Sequence, residues 1–320
     1  MKRLVLIDGN AILHRAFHAL PPLTTSSGEL VNAVFGFTSM LLKVISDLHP
    51  EYIAVTFDRP KPTFRKAIYI GYQAKRPEMV DELSSQIERV HEVVSTLNIP
   101  IFEVDGYEAD DVIGTLADQT KNLELRTKNK KENKLETIIV TGDRDLLQLV
   151  DKKTKVYAPS KGLSETVMFD EKVVEEKFGL KPSQWVDFKA LKGDPSDNYP
   201  GVAGIGPKTA SMLLKKYGTL EKLYKHLKEL PEGTAKKLSE GIEMAEMAKQ
   251  LATIVCDVPI KLKLDDCKVS DYDKEKVIAL FRELEFKSFI ARLPGNGDFV
   301  EKQIAENNKE PKDSGQLSLL

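Results

Sequence analysis

Leu4-Val5-Leu6-Ile7-Asp8-Gly9-Asn10 is the stretch on which the fold turns. Consecutive large aliphatic residues without polar alternation describe a strand buried on both faces, as in a parallel sheet covered by helices. Asp8 follows at once, and Gly9 gives the turn into a helix over 11–19. The pattern returns twice. Glu51-Tyr52-Ile53-Ala54-Val55-Thr56-Phe57 ends in Asp58, and Thr137-Ile138-Ile139-Val140 ends in Thr141-Gly142-Asp143-Arg144-Asp145. Helical periodicity over 31–48 separates the first two strands. Strands alternating with helices predict an α/β fold, a central and mostly parallel sheet flanked by helices. The functional crevice of such a sheet lies outside the carboxyl ends of its strands, and here each of these strands delivers an acid to that edge.

A further cluster lies in Gly106-Tyr107-Glu108-Ala109-Asp110-Asp111-Val112-Ile113-Gly114, at the start of a helix. Glu108 and Asp111 share one face at i, i+3 and Asp110 lies to the side, while Val112, Ile113 and Leu116 bury the rest. Taken alone, this is N-terminal helix charging. Asp194 and Asp197, in Gly193-Asp194-Pro195-Ser196-Asp197-Asn198, extend the pattern. Two carboxylates about 4 Å apart repel by roughly 4 kcal/mol at an effective dielectric near 20, so convergence demands cations. Oxygen ligands without His or Cys select hard ions, Mg²⁺ or Mn²⁺. The chemistry such a site supports is two-metal phosphodiester hydrolysis.

Between residues 59 and 97, Arg65, Lys66, Lys75 and Arg76 are interleaved with Phe64, Tyr69 and Tyr72, a mixture suited to phosphates and to base stacking. Residues 121–136 form a polar, lysine-rich insertion expected to be a loop. From Pro200 the chain reads Gly201-Val202-Ala203-Gly204-Ile205-Gly206-Pro207-Lys208-Thr209-Ala210 and continues into an apolar-periodic helix through Leu213 and Leu214. Its glycines let backbone N–H groups approach a phosphate, and Lys208, Lys215 and Lys216 supply positive field. This is a helix-hairpin-helix signature for sequence-independent binding of a DNA backbone.

The 49 acidic and 47 basic residues nearly cancel, leaving −2, a balance that permits an acidic site inside a basic frame. Cys256 and Cys267 lack a metal spacing, which argues against a disulfide or zinc framework. With no signal-peptide pattern and no apolar run of about 18 residues, a cytoplasmic protein without membrane contact is expected. His14, His18 and His91 lack metal spacing, Trp185 and Phe188 look like core anchors, and neither a Ser/His/Asp arrangement nor a nucleotide-binding P-loop occurs.

The order of these motifs resembles the 5′-nuclease domain of bacterial DNA polymerase I, within the flap endonuclease family, over about residues 1–293. The resemblance implies a 5′-nuclease fold with a first metal site from Asp8, Asp58, Glu108 and Asp110. It implies a second from Asp143, Asp145, Asp194 and Asp197, with Asp111 in the outer shell. It also implies a helical arch over about 59–97, with Arg65 and Tyr72 meeting the single strand and Arg76 and Lys75 the scissile phosphate. Gly201, Gly204, Gly206, Lys208, Thr209 and Lys215 then grip the duplex, with a K⁺ ion in the hairpin. The expected division is a nuclease core over 1–180, a helical DNA-binding subdomain over 181–293 and a disordered tail over 294–320. One departure stands out: the family usually has lysine after the arch tyrosine, where this chain has Gln73.

The tail ends Gln316-Leu317-Ser318-Leu319-Leu320, which resembles the short peptide that docks in the pocket of the bacterial sliding clamp. On that basis a stand-alone, monomeric nuclease is expected, acting on 5′ flaps or RNA primers in replication and repair. The rivals are a DNA-junction-binding module that lost its chemistry with the arch lysine, and an RNA-directed nuclease, against which the hairpin counts.

Overall fold

The computed structural model describes residues 2–126, 135–161, 165–269 and 271–294. Its first half runs β1 (Lys2–Asp8), α1 (Gly9–Ala19), α2 (Asn32–Leu48), β2 (Tyr52–Thr56), α3 (Phe64–Ile68), α4 (Asp81–Ser84), α5 (Ile87–Thr96), β3 (Ile101–Phe102), α6 (Ala109–Arg126), β4 (Leu135–Val140), β5 (Thr154–Lys161) and β6 (Glu165–Phe169). These strands form one sheet in the order β3-β2-β1-β4-β5-β6. All neighbours are parallel except the edge pair β5–β6, which is antiparallel.

β1 is central because its side chains serve both faces. Val5 and Ile7 pack with Ile12 and Leu13 of α1 and with α2, while Leu4 and Leu6 pack with Val112, Ile113 and Leu116 of α6. None of the four is more than 1% exposed. Each such burial contributes about 1.5–3 kcal/mol, and a slip of one residue would exchange the two faces. β1 lies between β2 and β4, so the order of the strands reverses there and opens a crevice at their carboxyl ends. Asp8 sits at that edge.

The second half runs α7 (Glu171–Phe178), α8 (Trp185–Lys192), a short antiparallel pair β7 (Gly193–Asp194) and β8 (Tyr199–Pro200), α9 (Pro207–Tyr217), α10 (Leu220–Lys225), α11 (Glu232–Glu240), α12 (Ile242–Ala252), α13 (Lys274–Glu283) and α14 (Lys287–Ile290). A separate core of Leu191, Val202, Ile205, Leu213, Leu214 and Leu238 joins α8, α9 and α11. Trp185 packs edge-on to Phe178 at 5.0 Å and reaches Phe188 at 6.0 Å, as core anchors do. The chain then comes back to the sheet: Val277, Phe281, Phe286 and Phe289 join Phe37, Val90 and Val93 in the first core.

Two sequence expectations change. The insertion at 121–136 is regular structure at both ends, with α6 running to Arg126 and β4 beginning at Leu135. Leu, Glu and Arg are good helix formers, and Lys121 pairs with Asp151 at 2.8 Å. Of the segment 59–97, α5 is core, since Val90, Val93 and Val94 have no exposed surface, and Leu83 of α4 is 2% exposed. Cys256 and Cys267 are free. Among the described residues no helix is long and apolar enough to cross a membrane. The tail, including Gln316 to Leu320, lies outside the described residues.

Candidate metal centre

The first group of acids is fixed by hydrogen-bond donors at the ends of β1, β2 and β4. Asp8 caps α1, its Oδ1 accepting the Ala11 N–H at 3.0 Å, and its Oδ2 accepts the Thr141 hydroxyl at 2.7 Å. The Thr141 oxygen in turn accepts the Asp143 N–H at 2.9 Å, so one threonine ties the end of β1 to the turn after β4. Asp58 accepts the Ala109 N–H at 2.7 Å, and Asp111 accepts the Glu108 N–H at 3.1 Å. The opening of α6 is therefore capped by acids from two segments, satisfying donors that a helix start leaves free. Glu108 accepts the hydroxyls of Thr63 and Tyr72, both at 3.1 Å.

These acids are costly as anions. Burial, with Asp58 and Asp143 adding to it, pushes Asp8 up to about 7 although Ala11 and Thr141 hold it down. Burial likewise lifts Glu108 to about 7 against the pull of Arg65. Asp110 is raised well above the carboxylate range by burial and then by Asp143, Asp8, Asp145 and Asp58.

The second group closes more tightly. Asp143 accepts the Asp145 N–H at 2.8 Å, and Asp194 and Asp197 lie on the β7–β8 hairpin. That hairpin requires glycine: Gly193 has φ +73°, and a Cβ there would sit 2.4 Å from the Gly201 nitrogen. One oxygen each of Asp145, Asp194 and Asp197 lies within 4.8 Å of the others, the one such triad among the described residues. Lys189, from α8, reaches into it and pairs with both Asp145 and Asp194. Burial opposes charge on Lys189, but the two carboxylates outweigh it and raise its pKa. Lys189 and Ser196 keep Asp194 below the usual carboxylate range despite burial. Asp145 still rises to about 7, because burial and Asp143 outweigh its share of the ammonium. Burial also raises Asp197.

The donor set fits a hard divalent ion: every ligand is a carboxylate, no His or Cys intrudes, and the burial penalty is one a cation would remove. Asp8, Asp58, Glu108 and Asp110 are electrostatically coupled but do not close to a common point as the triad does.

The surroundings correct two expectations. Arg65 is 2% exposed and grips Asp111 with two bonds of 2.7 and 2.8 Å, while also donating to the carbonyls of Leu251 and Thr253. Tyr72 is 3% exposed beneath the site and parallel to Tyr199 at 6.3 Å. Neither side chain is on the surface, because both complete the packing around Glu108. Asp111 has no exposed surface, so its part is played through Arg65 and the Glu108 backbone. Gln73, at φ +53°, donates its backbone N–H to the Asp197 carbonyl at 2.8 Å and its amide to the Asp197 carboxylate at 3.3 Å. Lys75 and Arg76 follow on the surface. In the hairpin of 201–206, Val202 and Ile205 are buried, leaving Gly204, Gly206 and Lys208 exposed, Gly201 and Thr209 half-buried, and Lys215 exposed on α9.

Residues 3–179 match the family model described as 5′-3′ exonuclease, N-terminal resolvase-like domain, and residues 180–275 match 5′-3′ exonuclease, C-terminal SAM fold. The chain belongs to the 5′-3′ exonuclease family. It is a nuclease of the hydrolase class. DNA polymerase I of Caldicellulosiruptor bescii is 43% identical over 319 residues, 99% of this chain and 36% of that protein; DNA polymerase I of Bacillus subtilis is 40% identical over 91% of this chain and 32% of that protein. The chain thus spans about a third of the length of the relatives it matches. In fold, this 5′-3′ exonuclease chain is similar to the bacteriophage T5 5′-exonuclease with zinc bound, with TM-score 0.65 and 17% identity over 89% of this chain and 99% of that one.

Sequence reasoning missed Lys189, Thr141 and Ser196 as partners of the acids. Lys189 precedes Asp194 by five residues, a spacing with no local signature; only the turn from α8 into β7 folds it back onto the carboxylate.

Proposed function

We propose that the chain is a structure-selective 5′-3′ exonuclease and flap endonuclease. It hydrolyses phosphodiester bonds near the 5′ ends of DNA, flaps and RNA primers included, in replication and repair. The observation that carries this reading is the convergence of acids from β1, β2, α6, the turn after β4 and the β7–β8 hairpin on one sheet edge, with Asp145, Asp194 and Asp197 within 4.8 Å. Asp8, Asp58, Glu108 and Asp110 would hold one Mg²⁺, and Asp143, Asp145, Asp194 and Asp197 a second, with Mn²⁺ able to substitute. When bound, the ions supply an activated water and a counter-charge for the leaving oxygen.

The chain's own residues do the rest. Thr141 fixes Asp8 against the turn bearing Asp143, and Arg65 holds Asp111, so that α6 presents Glu108 and Asp110 at a set height. Arg76 and Lys75, exposed beside Gln73, meet the scissile phosphate and supply positive charge as negative charge develops there. The exposed Gly204 and Gly206 backbone, with Gly201, Lys208, Thr209 and Lys215, binds the phosphates of the duplex, and the hairpin carbonyls take a K⁺ ion. Gln316, Leu317, Ser318, Leu319 and Leu320 would dock in a sliding clamp and raise the local concentration of nuclease at junctions. A monomer in the bacterial cytoplasm is the state we expect.

A time course on a 5′-labelled flap duplex with Mg²⁺, with Ca²⁺ and with chelator tests the reading. Cleavage near the junction with Mg²⁺ alone is expected. Binding without cleavage in both Mg²⁺ and Mn²⁺ would overturn the enzyme reading in favour of a junction binder.

A further inference from the structure

Lys189 occupies an unusual place for a lysine. Its side chain is 8% exposed, and its ammonium touches two of the three carboxylates that form the tight triad. Both oxygens of Asp194 are engaged: Oδ2 accepts from Lys189, while Oδ1 accepts the Ser196 backbone N–H at 3.0 Å and the Ser196 hydroxyl at 2.5 Å. On Asp145 the oxygen that Lys189 bonds is Oδ1. A divalent ion among Asp145, Asp194 and Asp197 would draw on the same carboxylates. It would also bring a double positive charge to within a few ångströms of a buried ammonium, and like charges that close and that buried repel strongly. The ammonium and the ion are therefore alternatives.

We propose that Lys189 is a built-in counter-ion for the second metal position. It holds Asp145 and Asp194 together while the position lacks an ion, and it withdraws when the ion enters. The inference rests on the reading of these acids as a two-ion site. Lys189 is thus a positioning residue. Two consequences separate it from a merely structural lysine: the second ion binds more weakly than the first, and removing the ammonium strengthens that weaker binding.

The test is a calorimetric Mn²⁺ titration of the full chain, comparing wild type with Lys189→Met and Lys189→Arg, alongside thermal melts in chelator. Wild type should show a tighter and a weaker class of site. Lys189→Met should bind the weaker ion about tenfold or more tightly and melt earlier in chelator, and Lys189→Arg should keep the wild-type pattern. Unchanged or weakened second-ion affinity in Lys189→Met overturns the proposal while leaving the two-ion reading standing. Fewer than two Mn²⁺ ions on the wild type overturns both. A measurement on the wild type alone guards against a variant that does not fold. Reductive methylation of Lys189, followed by peptide mass spectrometry, should be faster with Mn²⁺ than with chelator, and equal rates overturn the proposal.

Discussion

The two halves of the acidic centre solve one problem by opposite means. Asp8 and Asp58 are held by neutral donors: backbone N–H groups of Ala11 and Ala109, and the hydroxyl of Thr141. Glu108 accepts the hydroxyls of Thr63 and Tyr72 and pairs at 3.3 Å with Arg65, which spends most of its donors on Asp111 and on carbonyls. Asp145 and Asp194 instead share an ammonium placed between them. Neutral donors orient a carboxylate and leave its charge uncompensated. An ammonium compensates the charge and takes up the ligand position. A site of the first kind is primed for an ion; one of the second kind must exchange a cation for a cation.

The largest effect should come from the support beneath the first half. Asp111→Ala leaves the Arg65 guanidinium buried without its carboxylate, and breaking a buried pair from one side costs about 3–5 kcal/mol. Denaturant unfolding with chelator present should show that loss; a loss under about 1 kcal/mol would mean that water replaces the carboxylate, and the contrast between the halves would weaken. Next comes the first half itself. Asp8→Asn keeps the cap on α1 and removes the charge, so flap cleavage should fall on the order of 10²–10³-fold, the scale of deleting one preorganised electrostatic group. Duplex affinity, which the proposed hairpin contacts would carry, should change little, and joint loss of binding and cleavage would assign Asp8 a structural part.

The pH dependence of stability sharpens the comparison. Asp8, Glu108 and Asp145 are each held up near 7, whereas the unfolded chain releases those protons near pH 4. Between about pH 4 and 7 the folded, ion-free chain therefore binds more protons than the unfolded one, and stability falls as pH rises through that window. A pKa raised by one unit is worth about 1.4 kcal/mol and three carboxyls titrate in this window, so a loss on the order of several kcal/mol from pH 5 to pH 8 is expected in chelator. Saturating Mg²⁺ should flatten the slope. A chelated protein equally stable at both pH values would show the acids to be better solvated than their burial indicates.

The sheet was legible because burial on both faces writes itself as an unbroken aliphatic run, and the acids because each ends such a run. Position along a strand is a local property, and Asp8, Asp58 and Asp143 need nothing more to reach the sheet edge. Arg65 and Tyr72 were misplaced for the converse reason. Cations interleaved with aromatics describe a nucleic-acid surface and an ion pair under Glu108 equally well, and only a partner 46 residues away, Asp111, distinguishes them. Lys189 was invisible, since its two carboxylates come from different segments. The return of α13 and α14 onto α5 likewise depends on contacts between residues almost 200 apart, such as Arg89 with Glu283, which no periodicity records.

The smallest predicted effect lies where the halves meet. Gln73 adds a neutral donor to the ammonium-held half, giving Asp197 the kind of support that Asp8 receives on the other side. One hydrogen bond of 3.3 Å contributes about 0.5–1.5 kcal/mol at most. Gln73→Ala should therefore weaken the second Mn²⁺ about 2–10-fold and leave the first unchanged. Alanine keeps the backbone strain that Gln73 already bears at φ +53°, about 1–2 kcal/mol, whereas glycine relieves it. Gln73→Gly removes the same amide together with that strain, so the two variants separate the amide from the backbone. If both variants weaken the second ion equally, the amide is what orients Asp197. If glycine binds the ion as wild type does, the backbone latch suffices, and Asp197 needs no side-chain donor at all.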